Sequence, residues 1–190
     1  MNRSTSLMAL GLLATVTLFA ATAQAQNLLA NGTFTTGSLA PWTPVITLNG
    51  TNGAGLPNVV MFNNADGGVT YAAQFNVGQA ISGTGQQGGG INQIFTVSTA
   101  GTYNFSAHIA SSTKVGNAGA GTFSIGIDGT TLASISLGNI GSNQILKHIL
   151  SGSVSLTSGS HMFEVIITRD YTSDNVTPHQ TLTNISLSLQ

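Results

Sequence analysis

Cysteine is absent from this 190-residue chain, and charge nearly so. Without thiols the fold has no disulfides to staple it and no thiolate site for a metal. Lysine and arginine together number 4, aspartate and glutamate 5. Nucleic acid needs a dense basic face, and docking on an anionic membrane needs a polybasic segment. Neither is present. Aromatic polar residues are scarce too: one Trp and three Tyr. Beyond the first 25 residues no helical periodicity is found. What remains is a chain rich in Ser, Thr, Asn, Gln and Gly, suited to hydrogen-bonding neutral polar partners and poorly protected by charge against self-association.

Residues 1–25 read as a secretory signal peptide. Arg3 provides the positive start, residues 7–21 carry no charge, and Ala23-Gln24-Ala25 offers small residues at the cleavage positions. The apolar run is interrupted by Thr15, Thr17 and Thr22, and falls short of the ~20 residues of a membrane span. The expected destination is outside the cell, or the periplasm in a Gram-negative bacterium. Residues 26–190 have the length of one domain and can bury a core without staples. They carry Lys114, Lys147 and Arg169 against Asp66, Asp128, Glu164, Asp170 and Asp174. No membrane partner is expected after cleavage.

Strict alternation marks several strands. Residues 102–110 put Tyr103, Phe105, Ala107 and Ile109 on one face. Residues 123–127 do the same with Phe123, Ile125 and Ile127, and Asp128-Gly129 then supplies tight-hairpin chemistry before Ala133, Ile135 and Leu137. Residues 161–169 and 182–189 complete the set. Residues 49–57, 82–90 and 111–121 read as glycine-containing loops. Short alternating strands with turn signals predict an all-β protein, a two-sheet antiparallel β-sandwich.

The opening Asn27-Leu28-Leu29-Ala30-Asn31-Gly32-Thr33-Phe34, then Gly37 and Pro41-Trp42, resembles the start of the jelly-roll carbohydrate-binding modules of the galactose-binding-domain-like superfamily. Thr183-Asn184-Ile185-Ser186-Leu187 is similar to their last strand, and residues 93–110 to their middle. The resemblance implies a jelly-roll sandwich and a glycan ligand. It also implies a structural calcium ion held by two carboxylates, but those positions are Thr35 and Thr183 here. Calcium affinity depends on anionic oxygens, so no cofactor is expected and the calcium site is disfavoured.

Sugar sites combine a flat aromatic face with hydrogen-bonding side chains. The candidates for carbohydrate binding are Tyr71, Tyr171, Asn92 and Gln93. Trp42 and Tyr103 are expected in the core. The four histidines lack metal-ligand spacing, and no metal residues are assigned. Asp170 and Asp174 are close in sequence without a sign that they flank a groove, no G-x-S-x-G elbow occurs, and catalytic residues are none. Two readings stay open. One is a secreted, non-catalytic domain that binds a neutral glycan or polysaccharide. The other is a structural or adhesive extracellular protein that self-associates.

Overall fold

A computed structural model describes residues 26–48, 50–62, 69–78, 86–116, 118–170 and 178–190. Among these there is no helix. Twelve strands run in chain order: β1 Thr43–Ile46, β2 Asn58–Phe62, β3 Thr70–Phe75, β4 Gln86–Val97, β5 Gly101–Ser112, β6 Ala118–Gly119, β7 Thr122–Ile127, β8 Thr130–Ser136, β9 Asn139–Ile140, β10 Ile145–Leu156, β11 Gly159–Asp170 and β12 His179–Leu189. One five-stranded sheet has the order β1-β4-β11-β7-β8 (sheet I), the other β10-β5-β12-β3-β2 (sheet II), and β6 and β9 form a two-stranded ribbon. Every pairing is antiparallel. The expected all-β sandwich is the observed fold.

Alternation decides which residues meet between the sheets. Phe163, Val165 and Ile167 of β11 and Phe123 and Ile125 of β7 face Phe105 and Ile109 of β5 and Leu182 and Leu187 of β12, all buried. Trp42 and Tyr103 join that core as expected. Tyr103 satisfies its hydroxyl by donating to the Thr99 carbonyl at 2.7 Å.

The opening motif works by stitching the N-terminal segment to β12. Asn27 Oδ1 accepts from the Leu29 and Leu187 amides at 3.1 and 2.9 Å, while its Nδ2 donates to the Ile185 carbonyl at 3.2 Å. Asn31, in the left-handed region at φ 51°, donates to the Ser38 and Ala40 carbonyls at 2.7 and 2.8 Å. Gly32 lies so near Ile185 that a Cβ would overlap its carbonyl oxygen. Phe34, fully buried, then packs its ring 6.3 Å from that of Trp42.

The glycines of residues 82–90 correct one expectation. Gly88, Gly89 and Gly90 belong to β4 rather than to a loop. They are tolerated there because neighbours press against them: a Cβ would meet Thr47 at Gly88, Asn52 at Gly89 and the Val165 carbonyl at Gly90.

The Asp128-Gly129 hairpin has positive φ at both positions, 52° and 77°, as a tight mirror-image turn requires. Asp128 also reaches across to β11. Its Oδ1 accepts from the Met162 amide at 2.8 Å and its Oδ2 faces His161 Nδ1 at 2.6 Å. The other ring nitrogen of His161 lies 2.9 Å from the Thr157 carbonyl. Both partners only accept, so the imidazolium form suits the site. The hydrogen bond to Asp128 raises the His161 pKa above its ordinary 6.5, and the hydrogen bond from His161 lowers that of Asp128 below 3.8. The histidine's contribution is therefore complete below pH 6.5 and fades as pH rises through its raised value. The aspartate's is complete above pH 3.8 and fades as pH falls. His161→Gln should cost about 0.5–1 kcal/mol near pH 5, the pair being part-exposed, and much less near pH 9. Urea unfolding at the two pH values checks this; an equal cost at both would refute it.

Candidate functional site

The strands that flank β5 define a polar face. Inward residues of β5 leave Asn104, Ser106, His108, Ala110 and Ser112 on the outer side of sheet II. Register sets Ser153 and Ser188 beside Asn104, and Ser151 and Ser186 beside Ser106. Ile149 and Thr183 flank His108, Lys147 and Thr181 flank Ala110, and Ile145 and His179 flank Ser112. Sheet II carries no aspartate or glutamate on any of its strands.

At one end this face hollows into a concavity of about 470 Å³ lined by Asn104, Ser106, Ser151, Ser153, Ser186 and Ser188. Its floor is Phe105 and Gly152. Gly152 is paired with Phe105, and a Cβ there would strike the ring, so the glycine leaves room for it. Ser106 and Ser186 share a hydrogen bond at 2.9 Å. Each hydroxyl both donates and accepts. Such a surface matches the chemistry of sugar hydroxyls, which also do both, and it holds no charge to be desolvated.

A second pocket of about 270 Å³ opens at the other end of the face. Ser112, Thr113, Lys114, Asn143, Gln144, Ile145 and His179 line it together with Phe62. Two loops are sewn together around it. Thr113 N donates to the Gln144 carbonyl at 3.3 Å, and Ser142 Oγ to the Lys114 carbonyl at 2.8 Å. Gln144 Oε1 accepts from the Gly141 amide at 2.8 Å.

Of the four residues expected to bind sugar, the three that are described, Tyr71, Asn92 and Gln93, are not brought together. Tyr71 lies on β3 of sheet II, opposite Met61 of β2, and is partly exposed. Asn92 lies on β4 of sheet I, on its outer side, with Nδ2 directed to the Met162 sulfur at 3.4 Å. Gln93 is buried, and its carboxamide is committed to the N-terminal segment: Oε1 accepts from the Ala30 amide at 2.7 Å and Nε2 donates to the Ala30 carbonyl at 3.0 Å. Its inward side of β4 is where Ile91 and Phe95 also point, which removes it from the surface. Tyr171 and Asp174 lie outside the described residues. The serines of the concavity were the missed signal. They are visible as Ser151-Gly-Ser153, Ser186-Leu-Ser188 and Asn104-Phe-Ser106, three polar alternations that only strand register unites.

The calcium ion implied by the family does not fit the donors present. Thr183 Oγ1 donates to the Tyr71 carbonyl at 2.6 Å, and Thr35 is exposed with only Thr33 Oγ1 near it, at 3.4 Å. Neither position offers an anionic oxygen. Among the described residues no three His, Asp or Glu side chains gather as metal ligands. Arg169 is not at the surface either. It is buried, donates to the Val77 carbonyl at 3.3 Å, and burial pulls its pKa down to about 10.

No protein-family model matches the chain, and no curated protein matches it. Solved structures do resemble it. A family 61 carbohydrate-binding module in complex with β-1,4-galactotriose is 17% identical, covers 87% of this chain and 100% of its own, and has a TM-score of 0.56. A family 16 carbohydrate-binding module is 19% identical over 85% of this chain and 99% of its own, with a TM-score of 0.43. An arabinose-bound α-L-arabinofuranosidase is 20% identical over 85% of this chain and 26% of its own, with a TM-score of 0.49. At these identities the likeness is one of fold, the β-sandwich that this chain shares with the family 61 module.

Proposed function

We propose that this chain is a secreted, non-catalytic carbohydrate-binding protein that holds neutral sugar units in the serine-lined concavity of sheet II. The observation that carries the reading is that hollow: five serines and an asparagine from β5, β10 and β12 in one uncharged depression. The fold shared with the galactotriose-bound module supports it. The one aromatic among the lining residues, Phe105, is buried with its ring in the core, so hydrogen bonds rather than stacking carry the affinity. A dissociation constant on the order of 1 mM is expected, about −4 kcal/mol.

A non-catalytic role is supported by the placement of the described carboxylates. Asp128 commits both oxygens to His161 and Met162. Glu164 and Asp170 are six residues apart on β11, roughly 20 Å along the strand. Glycoside hydrolysis sets its carboxylate pair about 5–10 Å apart.

The test is a glycan array and a pull-down on insoluble polysaccharides with wild type and Ser106→Leu. Binding to a neutral glycan, weakened about tenfold by the substitution at unchanged thermal stability, is the expected result. Binding indifferent to Ser106 would move the site elsewhere. One observation favours the rival structural role. β10 is an edge strand of twelve residues with no proline and Lys147 as its only lysine, arginine or carboxylate, a weak guard against edge-to-edge pairing. Concentration-dependent assembly in light scattering, with no binding on the array, would favour that role.

A further inference from the structure

Charge is divided between the two sheets. Among the described residues, every carboxylate side chain sits on sheet I or its hairpin: Asp128 after β7, and Glu164 and Asp170 on β11. Sheet II has none, while Lys147 lies on its outer face and Lys114 follows β5 at its end. The second pocket has Lys114 in its lining, and at about 270 Å³ it is nearer the room for one sugar ring than for a chain.

We infer that the pocket formed by Lys114, His179, Asn143 and Gln144 is a subsite for a carboxylate-bearing sugar. The inference rests on the glycan reading and deepens it: the ligand would carry neutral units in the serine hollow and a uronate-type unit at the Lys114 end. Several features fit a carboxylate. Lys114, His179, Asn143 and Gln144 all line one small space, and each of these side chains carries an N–H donor. Ile145 and Phe62 supply apolar wall for the C–H side of a ring. The loops are preorganised by the bonds from Thr113 and Ser142, and Gly116 lies so close to Ser142 that a Cβ would overlap its amide nitrogen. Partial desolvation, and next to it the charge of Lys114, lower the pKa of His179, whose side chain stays exposed. An arriving carboxylate offsets both costs. The two subsites are spaced along β5 from Ser106 to Ser112, roughly 20 Å.

The experiment is a titration of the purified protein with digalacturonate, galactobiose and sodium acetate, read by affinity and by two-dimensional NMR of the amides of residues 113–116 and 143–145. Wild type, Lys114→Gln and Lys114→Arg are compared, with thermal unfolding confirming that each is folded. Digalacturonate should bind about fivefold tighter than galactobiose, the effect of one part-exposed ion pair. Lys114→Gln should erase that preference and Lys114→Arg keep it, with galactobiose binding unchanged in both. Equal affinity for the two disaccharides in wild type would overturn the subsite and leave the glycan reading standing. Acetate and digalacturonate shifting the 113–116 and 143–145 amides while galactobiose does not bind would keep the carboxylate site and remove the neutral hollow. No shift with either anion would overturn the inference.

Discussion

Phe163→Ala should lower the free energy of unfolding by about 3–5 kcal/mol, a cavity-forming loss at a site that cannot collapse. β11 is the central strand of sheet I, paired with β4 on one side and β7 on the other, so its backbone is held from both directions. Phe163 is fully buried and meets the Trp42 ring edge-on, at 6.2 Å and 76°. Trp42 in turn touches Phe34 and donates from Nε1 to the Asn31 carbonyl at 3.3 Å. Removing the Phe163 ring therefore loosens the N-terminal segment along with the sandwich. A domain of this size is stable by about 5–15 kcal/mol, so the change takes a large share, and the melting temperature should fall by roughly 10 °C. Trp42 is the chain's single tryptophan, so its fluorescence reports this one place in the core. Urea unfolding followed by that emission and by circular dichroism should give one coincident, shifted transition. A loss below about 1 kcal/mol would mean the ring is not the keystone its burial indicates.

The strands that were legible are those whose two faces see different surroundings. In β5, β7 and β11 alternate residues are buried between the sheets, and most of the intervening ones are polar or glycine, Ala110, Met162 and Ile166 being the exceptions. β10 escaped because it is an edge. Leu150 and Leu156 point inward, but Ile145 and Ile149 lie on the outer face, nearly half exposed at 48% and 43%. Apolar residues on both faces erase the period of two on which the reading depends. The opening motif was legible for fold, and its contacts explain why: Asn27 and Gly32 make the joint to β12, and Asn31 holds the turn behind it to Ser38 and Ala40.

The site was less legible than the fold, for a related reason. Sequence favours residues that are chemically conspicuous, and the conspicuous amide Gln93 turned out to be a tether to Ala30. The serines of the hollow are individually indistinguishable from any solvated strand face. They form one surface only when Ser151, Ser106 and Ser186 are known to sit side by side. That register depends on β10, the strand that alternation does not reveal. The Lys114 pocket is farther still from sequence, since it joins residues some thirty and sixty-five positions apart through two loops.

Gly90→Val should prevent stable folding, and even Gly90→Ala should cost as much as or more than the usual overpacking loss of about 1–3 kcal/mol. Gly90 sits between Val45 of β1 and Ile166 of β11. A Cβ there would stand 2.0 Å from the Val165 carbonyl oxygen and 3.1 Å from the Ile166 Cα. Those are backbone atoms inside a paired ladder, so relief requires separating β4 from β11. Side-chain rotation does not help. Two other glycines separate the possible causes. At Gly129 nothing lies within 4 Å of the added Cβ, but φ is 77°, so Gly129→Ala carries strain without a clash and should cost about 1 kcal/mol. At Gly119 there is neither clash nor positive φ, and alanine should be close to neutral. Urea unfolding of the three alanine variants should therefore rank Gly90 far below Gly129, and Gly129 below Gly119. If Gly90→Ala unfolded alongside Gly119→Ala, the glycines of β4 would be dispensable, and the close approach of β11 would not be what keeps side chains out of this stretch.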